Sequence, residues 1–192
     1  MNNVTVLYPG SFKPLHAGHI DLINKYAADS SVNKIKIFVS PSKRGDVSQA
    51  LAHEIISKII DNPKVSIEEV KEASPVTTVY NFLEIASPGK YALASSTKED
   101  DYKRVTKFIN YFKNKKLPKG VKVVELLIDA SALNYSGRSD EHEGKPISAS
   151  ILRTDIENDD FISFQTNYPN SNLETIKNVW NLLKLEGQNR SK

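Results

Sequence analysis

The sequence predicts an α/β domain built on a parallel sheet of about five strands, with helices on both faces. Short runs rich in β-branched residues alternate with longer segments whose apolar residues recur at helical spacing. This alternation is typical of β-α-β units. At 192 residues, the chain is long enough for one such domain and a short extension.

Five segments carry the strand pattern. The first has β-branched residues and stops at Pro9-Gly10, a turn-forming pair. The predicted strands are, in chain order, "NVTVLYPG", "NKIKIFVSP", "KVSIEEV", "KYALASS" and "VKVVELLIDA".

The segments between these strands carry the helical pattern, with apolar positions such as Ile20, Ile23 and Ala27 three or four residues apart. The predicted helices are "GHIDLINKYAAD", "VSQALAHEIISKII", "TTVYNFLEIA", "DDYKRVTKFINYFKNKK", one that begins near Ile151, and a last one around "LETIKNVWNLLKLEG". We place the main domain at residues 1–158. A C-terminal helical extension and polar tail occupy residues 159–192.

Composition excludes several classes of protein. There is no cysteine, which excludes disulfides and thiolate metal sites. The N-terminus lacks the pattern of a signal peptide, and no apolar segment reaches the ~20 residues of a membrane helix. We therefore expect a cytoplasmic protein with no membrane partner. A net charge of +3 permits an anionic ligand but disfavours nucleic acid. The sequence leaves the oligomeric state, including a homo-oligomer, undecided, because the apolar face of the final helix could pack against a partner subunit or against the chain's own core.

The segment "GSFKPLHAGH" follows the first predicted strand, where parallel sheets gather their ligands. Gly10 and Gly18 permit close approach of a ligand or backbone. A helix beginning near residues 17–19 would direct free N–H groups and a positive dipole end at an anion. His16 and His19 add imidazole donors there, which are strongest when protonated. The segment therefore predicts a phosphate site.

Two other interpretations of this histidine pair are possible. The spacing His-x-x-His could serve zinc, but no third ligand stands nearby in the sequence. The pair could also be ordinary surface residues, which the surrounding glycines and Pro14 disfavour.

Two motifs carry a family resemblance over about Val4 to Ile156. "GSFKPLHAGHIDLI" resembles the H-x-G-H signature of the nucleotidyltransferase superfamily related to cytidylyltransferases and nicotinamide-nucleotide adenylyltransferases. "ISASILR" is similar to the second signature of that superfamily, I-S-[ST]-[ST]-x-x-R. Many members have Asp where this chain has Lys13, and the lysine variant is loosely similar to phage sequences. Class I aminoacyl-tRNA synthetases share a similar first signature, but their K-M-S-K-S loop is missing here.

The resemblance implies a Rossmann-like, doubly wound fold. It also implies transfer of a nucleotidyl group, AMP or CMP, from ATP or CTP to a phosphorylated small-molecule acceptor, with release of pyrophosphate. Mg²⁺ would bind through the phosphates rather than through protein side chains. The implied catalytic residues are His16, His19, Lys13 and Arg153.

The resemblance further implies two sets of binding residues. The nucleotide and phosphate contacts would be Gly10, Ser11, Phe12, Gly18, Ser148, Ser150, Arg44, Lys98, Asp100 and Arg104. The acceptor contacts would be Lys43, Ser74 and Thr77.

Simpler structural roles stay open for many of these residues. Ser148 and Arg153 could be a helix cap and a solvated arginine, and Lys43 and Arg44 could belong to a solvent-facing turn. Several others could serve as helix caps or first-turn charges: Ser74, Thr77, Lys98, Asp100 and Arg104. Two alternative functions also stay open: a CTP-specific cytidylyltransferase acting on an alcohol phosphate, and a non-catalytic nucleotide sensor.

Overall fold

A computed structural model describes residues 3–96, 99–129, 133–138 and 142–189. Its centre is a five-stranded, all-parallel sheet of order β3-β2-β1-β4-β5. The strands are β1 (Val4–Gly10), β2 (Val32–Val39), β3 (Val65–Glu68), β4 (Gly89–Leu93) and β5 (Val121–Val123). The helices are α1 (Ala17–Ala28), α2 (Gln49–Ile59), α3 (Pro75–Glu84), α4 (Glu99–Lys113), α5 (Ala149–Glu157), α6 (Phe161–Thr166) and α7 (Leu173–Gln188). The predicted α/β, Rossmann-like fold is confirmed.

The first strand lies at the centre of the sheet. It pairs with β2 from Val4 opposite Val32 to Gly10 opposite Val39, and with β4 on its other edge. The chain adds β2 and β3 on one side and then returns to add β4 and β5 on the other. This reversal beside β1 is the switch point of a doubly wound sheet.

The described chain forms two compact units. The sheet unit comprises residues 1–10, 21–41 and 62–131. Its core is aliphatic and aromatic, with Leu7 and Phe38 from the strands and Leu83, Phe108 and Phe112 from α3 and α4. This burial of apolar surface is the main source of stability for the sheet unit.

The second unit, here the helical unit, comprises residues 11–20, 42–61 and 132–192. Within it α7 packs against α2, α5 and α6. The Trp180 ring meets Phe164 at 5.1 Å and Phe161 at 5.4 Å between centroids, and Val179 and Leu183 are buried. The apolar face of the last helix therefore completes the core of its own unit. The domain boundary at residue 158 stays a prediction.

Two local predictions were wrong, one helix was not predicted, and one helix end differs by a single residue. The fifth strand has three residues because the chain leaves the ladder after Val123 and returns only at Ile128, which bridges to Ser96. The short helix α6 was not predicted. Helix α5 begins at Ala149, which places Ser150 inside its first turn. Helix α7 runs to Gln188, one residue beyond the segment predicted for it.

Among the described residues, no helix combines the length and apolar character that crossing a membrane requires.

Candidate functional site

The two sequence motifs meet within the helical unit. Nη1 of Arg153, from the second motif, donates a hydrogen bond of 2.6 Å to the main-chain oxygen of Lys13, from the first. These residues are 140 positions apart in the chain. The side chain of Lys13 donates to the main-chain oxygen of Ser42, so the 42–47 loop joins the same cluster. Three separated segments thus place their cations together.

The two histidines of the first motif are stacked. Their ring centroids are 3.7 Å apart, with 30° between the ring planes. The N–H of Gly18 donates to Nδ1 of His16 at 3.1 Å, and the N–H of His16 donates to Nδ1 of His19 at 3.3 Å. Because each Nδ1 accepts a hydrogen bond, the proton of each neutral imidazole belongs on Nε2.

The pKa of His19 lies well below its usual value, first because the ring is buried and second because His16 is adjacent. A buried imidazole is harder to charge, so His19 is neutral near pH 7. The sequence analysis gave weight to protonated histidines. For His19 the structure instead indicates a neutral Nε2–H donor.

Two residues shape the turn around the rings. A Cβ at Gly18 would lie 3.0 Å from Cε1 of His16, so the fold needs glycine here for the His16 ring to lie over the backbone. Phe12 is fully buried with a φ of 52°, a backbone conformation rare outside glycine. Its ring lies 4.7 Å from that of His19. Next to it, Oγ of Ser11 is buried and makes no hydrogen bond within the described residues.

Lys13 is fully buried. Burial, and then the charge of Arg44, lower the pKa of its ammonium group from 10.5 to about 8. Its bond to Ser42 gives this lysine a role in holding the 42–47 loop. A direct contact of Lys13 with phosphate stays a prediction.

The 42–47 loop approaches Arg153 closely. Gly45 has a φ of +57°, and a Cβ there would lie 2.9 Å from Cδ of Arg153. The pKa of Arg153 is lowered, chiefly by burial, while Glu157 opposes that shift. Arg44 is exposed, and Lys43 lies 3.9 Å from Glu186. The loop therefore offers two exposed cations beside a half-buried third.

A cavity of about 250 Å³ lies beside Arg153 in the same unit. It is lined by Asp46 and Val47 of the loop, by Arg153 and Glu157 of α5, and by Leu183 and Lys184 of α7. Both signs of charge face it. A bare polyanion would be repelled by the two carboxylates, so this cavity is less suited to a triphosphate than the cluster around His16 and His19.

Ser148 is the N-cap of α5, since its Oγ accepts a hydrogen bond of 3.4 Å from the N–H of Ile151. Ser148 therefore has the simpler structural role of a helix cap. Ser150 is exposed in the first turn. Phosphate contacts for both serines stay predictions.

The remaining site candidates lie in the sheet unit. Gly10 ends β1, and its oxygen accepts from the N–H of Ser40 at 2.9 Å. Ser74 caps α3 by accepting from the N–H of Thr77. Arg104 donates to the oxygen of Ala94 at 3.2 Å and pairs with Asp101.

Asp100 is exposed in the first turn of α4, and Lys98 lies outside the described residues. The contacts described for Gly10, Ser74 and Arg104 are those of a strand end, a helix cap and a bond to a strand-end carbonyl. Their assignment to base, ribose or acceptor stays a prediction.

Sequence analysis missed Tyr168. Its hydroxyl donates a hydrogen bond of 2.5 Å to the main-chain oxygen of Leu15, the residue before His16. Tyr168 is 3% exposed, and burial raises the pKa of its hydroxyl. No local pattern in the sequence marks this contact, because the two residues are 153 positions apart.

Among the residues that the structure describes, no group of three His, Cys, Asp or Glu side chains could hold a metal ion. Asp46 and Glu157 are the carboxylates that line the cavity beside Arg153. A divalent cation at this site stays a prediction.

Comparison with known proteins finds short, weak similarities. The chain is 29% identical over 75 residues to a probable nicotinate-nucleotide adenylyltransferase of Cytophaga hutchinsonii, which covers 36% of this chain and 39% of that protein. It is 35% identical over 66 residues to a phosphopantetheine adenylyltransferase of Clostridium tetani, covering 34% of this chain and 41% of that protein. A third match, 32% identical over 63 residues, is a phosphopantetheine adenylyltransferase of Clostridium kluyveri.

This chain spans about two fifths of the length of the curated relatives it matches. No protein-family model matches it. The relatives confirm the predicted resemblance to the H-x-G-H nucleotidyltransferase superfamily.

Proposed function

We propose that this protein is a nucleotidyltransferase that moves AMP from ATP to a phosphorylated small-molecule acceptor and releases pyrophosphate. One observation carries the proposal: the hydrogen bond from Arg153 to Lys13, which places the second motif beside the first. Either motif alone would be weak. Together they put two imidazoles and several cations in one unit, which is the chemistry that a triphosphate requires.

The reaction is a direct displacement. An oxygen of the acceptor phosphate attacks the α-phosphorus of the triphosphate, and the bond to the bridging oxygen of the β-phosphate breaks. Pyrophosphate leaves with that electron pair. An acceptor phosphate is already a nucleophile at neutral pH, so no strong general base is required. The protein contributes position and charge stabilisation.

In this reaction His19 contacts the α-phosphoryl group, whose phosphorus is attacked. A neutral imidazole donating from Nε2 can stabilise negative charge that grows on the α-phosphoryl oxygens, without having to lose a proton. His16 donates to a neighbouring phosphate oxygen from the stacked ring. Arg153 and Arg44 hold the β- and γ-phosphates through planar guanidinium groups, which suit paired phosphate oxygens.

Mg²⁺ belongs to the proposal as a cation that the triphosphate brings and that neutralises phosphate charge. The phosphates and water would supply its ligands, since Mg²⁺ retains several waters in such sites.

The choice of AMP over CMP rests on the relatives, all three of which are named adenylyltransferases. The names of these relatives differ in the acceptor that they specify. We therefore keep the acceptor as a phosphorylated small molecule. Lys43, exposed on the 42–47 loop, is its proposed contact in the helical unit.

The test has two arms. Calorimetric titration with non-hydrolysable ATP and CTP analogues in Mg²⁺ compares the wild type with Arg153→Ala, and exposed Arg138→Ala is the matched control. Transfer of label from α-³²P-ATP or α-³²P-CTP is then measured with nicotinate mononucleotide, phosphopantetheine, glycerol phosphate and phosphocholine. We expect ATP binding that only Arg153→Ala weakens, and label transfer to one acceptor. Binding without transfer to any acceptor would favour the sensor, and absence of binding would refute the proposal.

A further inference from the structure

The hydroxyl of Tyr168 contacts the peptide group whose N–H donates a hydrogen bond to the ring of His19. The oxygen of Leu15 and the N–H of His16 belong to the same peptide group. Tyr168 donates to that oxygen at 2.5 Å, and the N–H donates to Nδ1 of His19 at 3.3 Å. A rigid, planar peptide therefore connects the tyrosine hydroxyl to the histidine ring.

We propose that Tyr168 is a positioning residue for catalysis: through the Leu15–His16 peptide it fixes the ring orientation and the Nε2–H tautomer of His19. The inference rests on the proposed function for its kinetic consequences. It also goes beyond the resemblance, because Tyr168 lies C-terminal to the segment that the two motifs span.

The local geometry favours this role over simple packing. A peptide whose oxygen accepts a hydrogen bond becomes a better donor at its N–H, since hydrogen bonds in a chain polarise one another. The N–H of His16 then holds Nδ1 of His19 as an acceptor, and the ring proton stays on Nε2. Hydrogen-bond partners that do not touch the substrate can orient the ring of a histidine in this way, as they do around metal sites.

The surroundings keep the tyrosine in place. Its ring lies 5.0 Å from that of Phe164 in α6, and Leu15 is fully buried. The phenol is also hard to ionise, because burial and the nearby charge of Asp155 both raise its pKa. The hydroxyl therefore remains a donor throughout the working pH range.

Tyr168→Phe tests the inference, because it removes the hydroxyl and keeps the ring. Tyr91→Phe is the matched control: Tyr91 is also buried, and its hydroxyl donates to a main-chain oxygen, that of Ser87, at 2.8 Å. Tyr91 belongs to the sheet unit, whereas His16 and His19 belong to the helical unit.

The first readout is NMR of protein labelled with ¹⁵N-histidine, with the His19 signals assigned from His19→Asn. In Tyr168→Phe we expect the Nδ1 signal of His19 to move and the second tautomer to become populated, with neither change in Tyr91→Phe. The second readout is kinetic. We expect kcat to fall about tenfold in Tyr168→Phe while KM changes less than twofold, as for loss of an orienting partner.

Three outcomes would overturn the inference: an unchanged His19 signal in Tyr168→Phe, a moved signal with wild-type kcat, or an equal loss of kcat in both tyrosine variants. If the wild type transfers no nucleotidyl group, the proposed function fails. The NMR readout then decides by itself whether Tyr168 sets the His19 tautomer.

Discussion

Arg153 meets Lys13 through the lysine's main chain: its Nη1 lies 2.6 Å from the Lys13 oxygen, while the Lys13 ammonium is directed to the oxygen of Ser42. Each cation is thus held by a main-chain oxygen, which accepts its hydrogen bond without neutralising its charge. In the proposed mechanism, positive charge is therefore present in the site before the phosphates bind. Pre-placed charge of this kind does not have to reorganise during the reaction.

Replacement of His19 by alanine should lower turnover by ~10²-fold or more, as removal of a transition-state donor does. The measurement is the rate of label transfer from the α-³²P-nucleotide under saturating substrate. His142→Ala, a histidine outside both motifs, should retain the wild-type rate. Near-normal turnover in His19→Ala would remove His19 from the mechanism.

Gly45→Ala should disturb Arg153 as well as the backbone. The residue has a φ of +57°, and the new Cβ would lie 2.9 Å from Cδ of Arg153. The left-handed backbone alone costs about 1–2 kcal/mol for alanine. Gly144→Ala is a close control, because Gly144 has a φ of +70° and nothing lies within 4 Å of its Cβ position.

Both glycine variants should therefore lose stability in urea unfolding. Only Gly45→Ala should also weaken binding of the triphosphate analogue in calorimetry. Equal binding by the two variants would show that the position of Arg153 does not depend on Gly45.

Gly18→Ala should lower activity more than stability. The new Cβ would lie 3.0 Å from Cε1 of His16, so the ring must move by a few tenths of an ångström. Alanine is otherwise favoured over glycine in a helix by up to about 1 kcal/mol. We expect a fall in kcat of about tenfold, since small misplacements of catalytic groups are costly.

The control for Gly18→Ala is Gly187→Ala, another helical glycine, whose Cβ would approach only the flexible carboxylate of Asp46, at 3.2 Å. Thermal unfolding and turnover are measured on both. A wild-type kcat in Gly18→Ala would mean that the His16 ring position is not critical.

Lys13 should make stability depend on alkaline pH. The unfolded chain keeps the lysine proton up to a pKa of 10.5, whereas the folded protein releases it near pH 8. Between these values the unfolded state binds more protons, so this group makes the free energy of unfolding rise with pH. Below pH 8 both states are protonated and its contribution is constant.

This rise should be missing in Lys13→Met and present in Lys43→Met, which removes an exposed lysine of the 42–47 loop that Lys13 contacts. Denaturant unfolding at pH 7, 8, 9 and 10 measures it. Parallel stability curves for wild type and Lys13→Met would show that the pKa of Lys13 is not lowered.

The strand and helix pattern was readable in the sequence because both periods are local. β-Branched runs such as Val4–Leu7 and apolar residues at helical spacing, as around Ile23, are set by which side chains face the core. The residues at which strands and helices begin and end were harder to predict from the sequence. The chain leaves the β5 ladder after Val123, and the Ser148 cap starts α5 at Ala149, and both depend on hydrogen bonds to particular partners.

The sequence by itself determined the fold class, the family resemblance and the residue types at the site, because motif spacing and hydrophobic period are properties of neighbouring residues. Only the tertiary structure decided what each site residue touches: the carbonyl beneath Arg153, the buried state of Lys13, the neutral stacked ring of His19, and Tyr168 behind it. The physical reason is that these contacts join segments up to 153 positions apart, and burial sets their charge state.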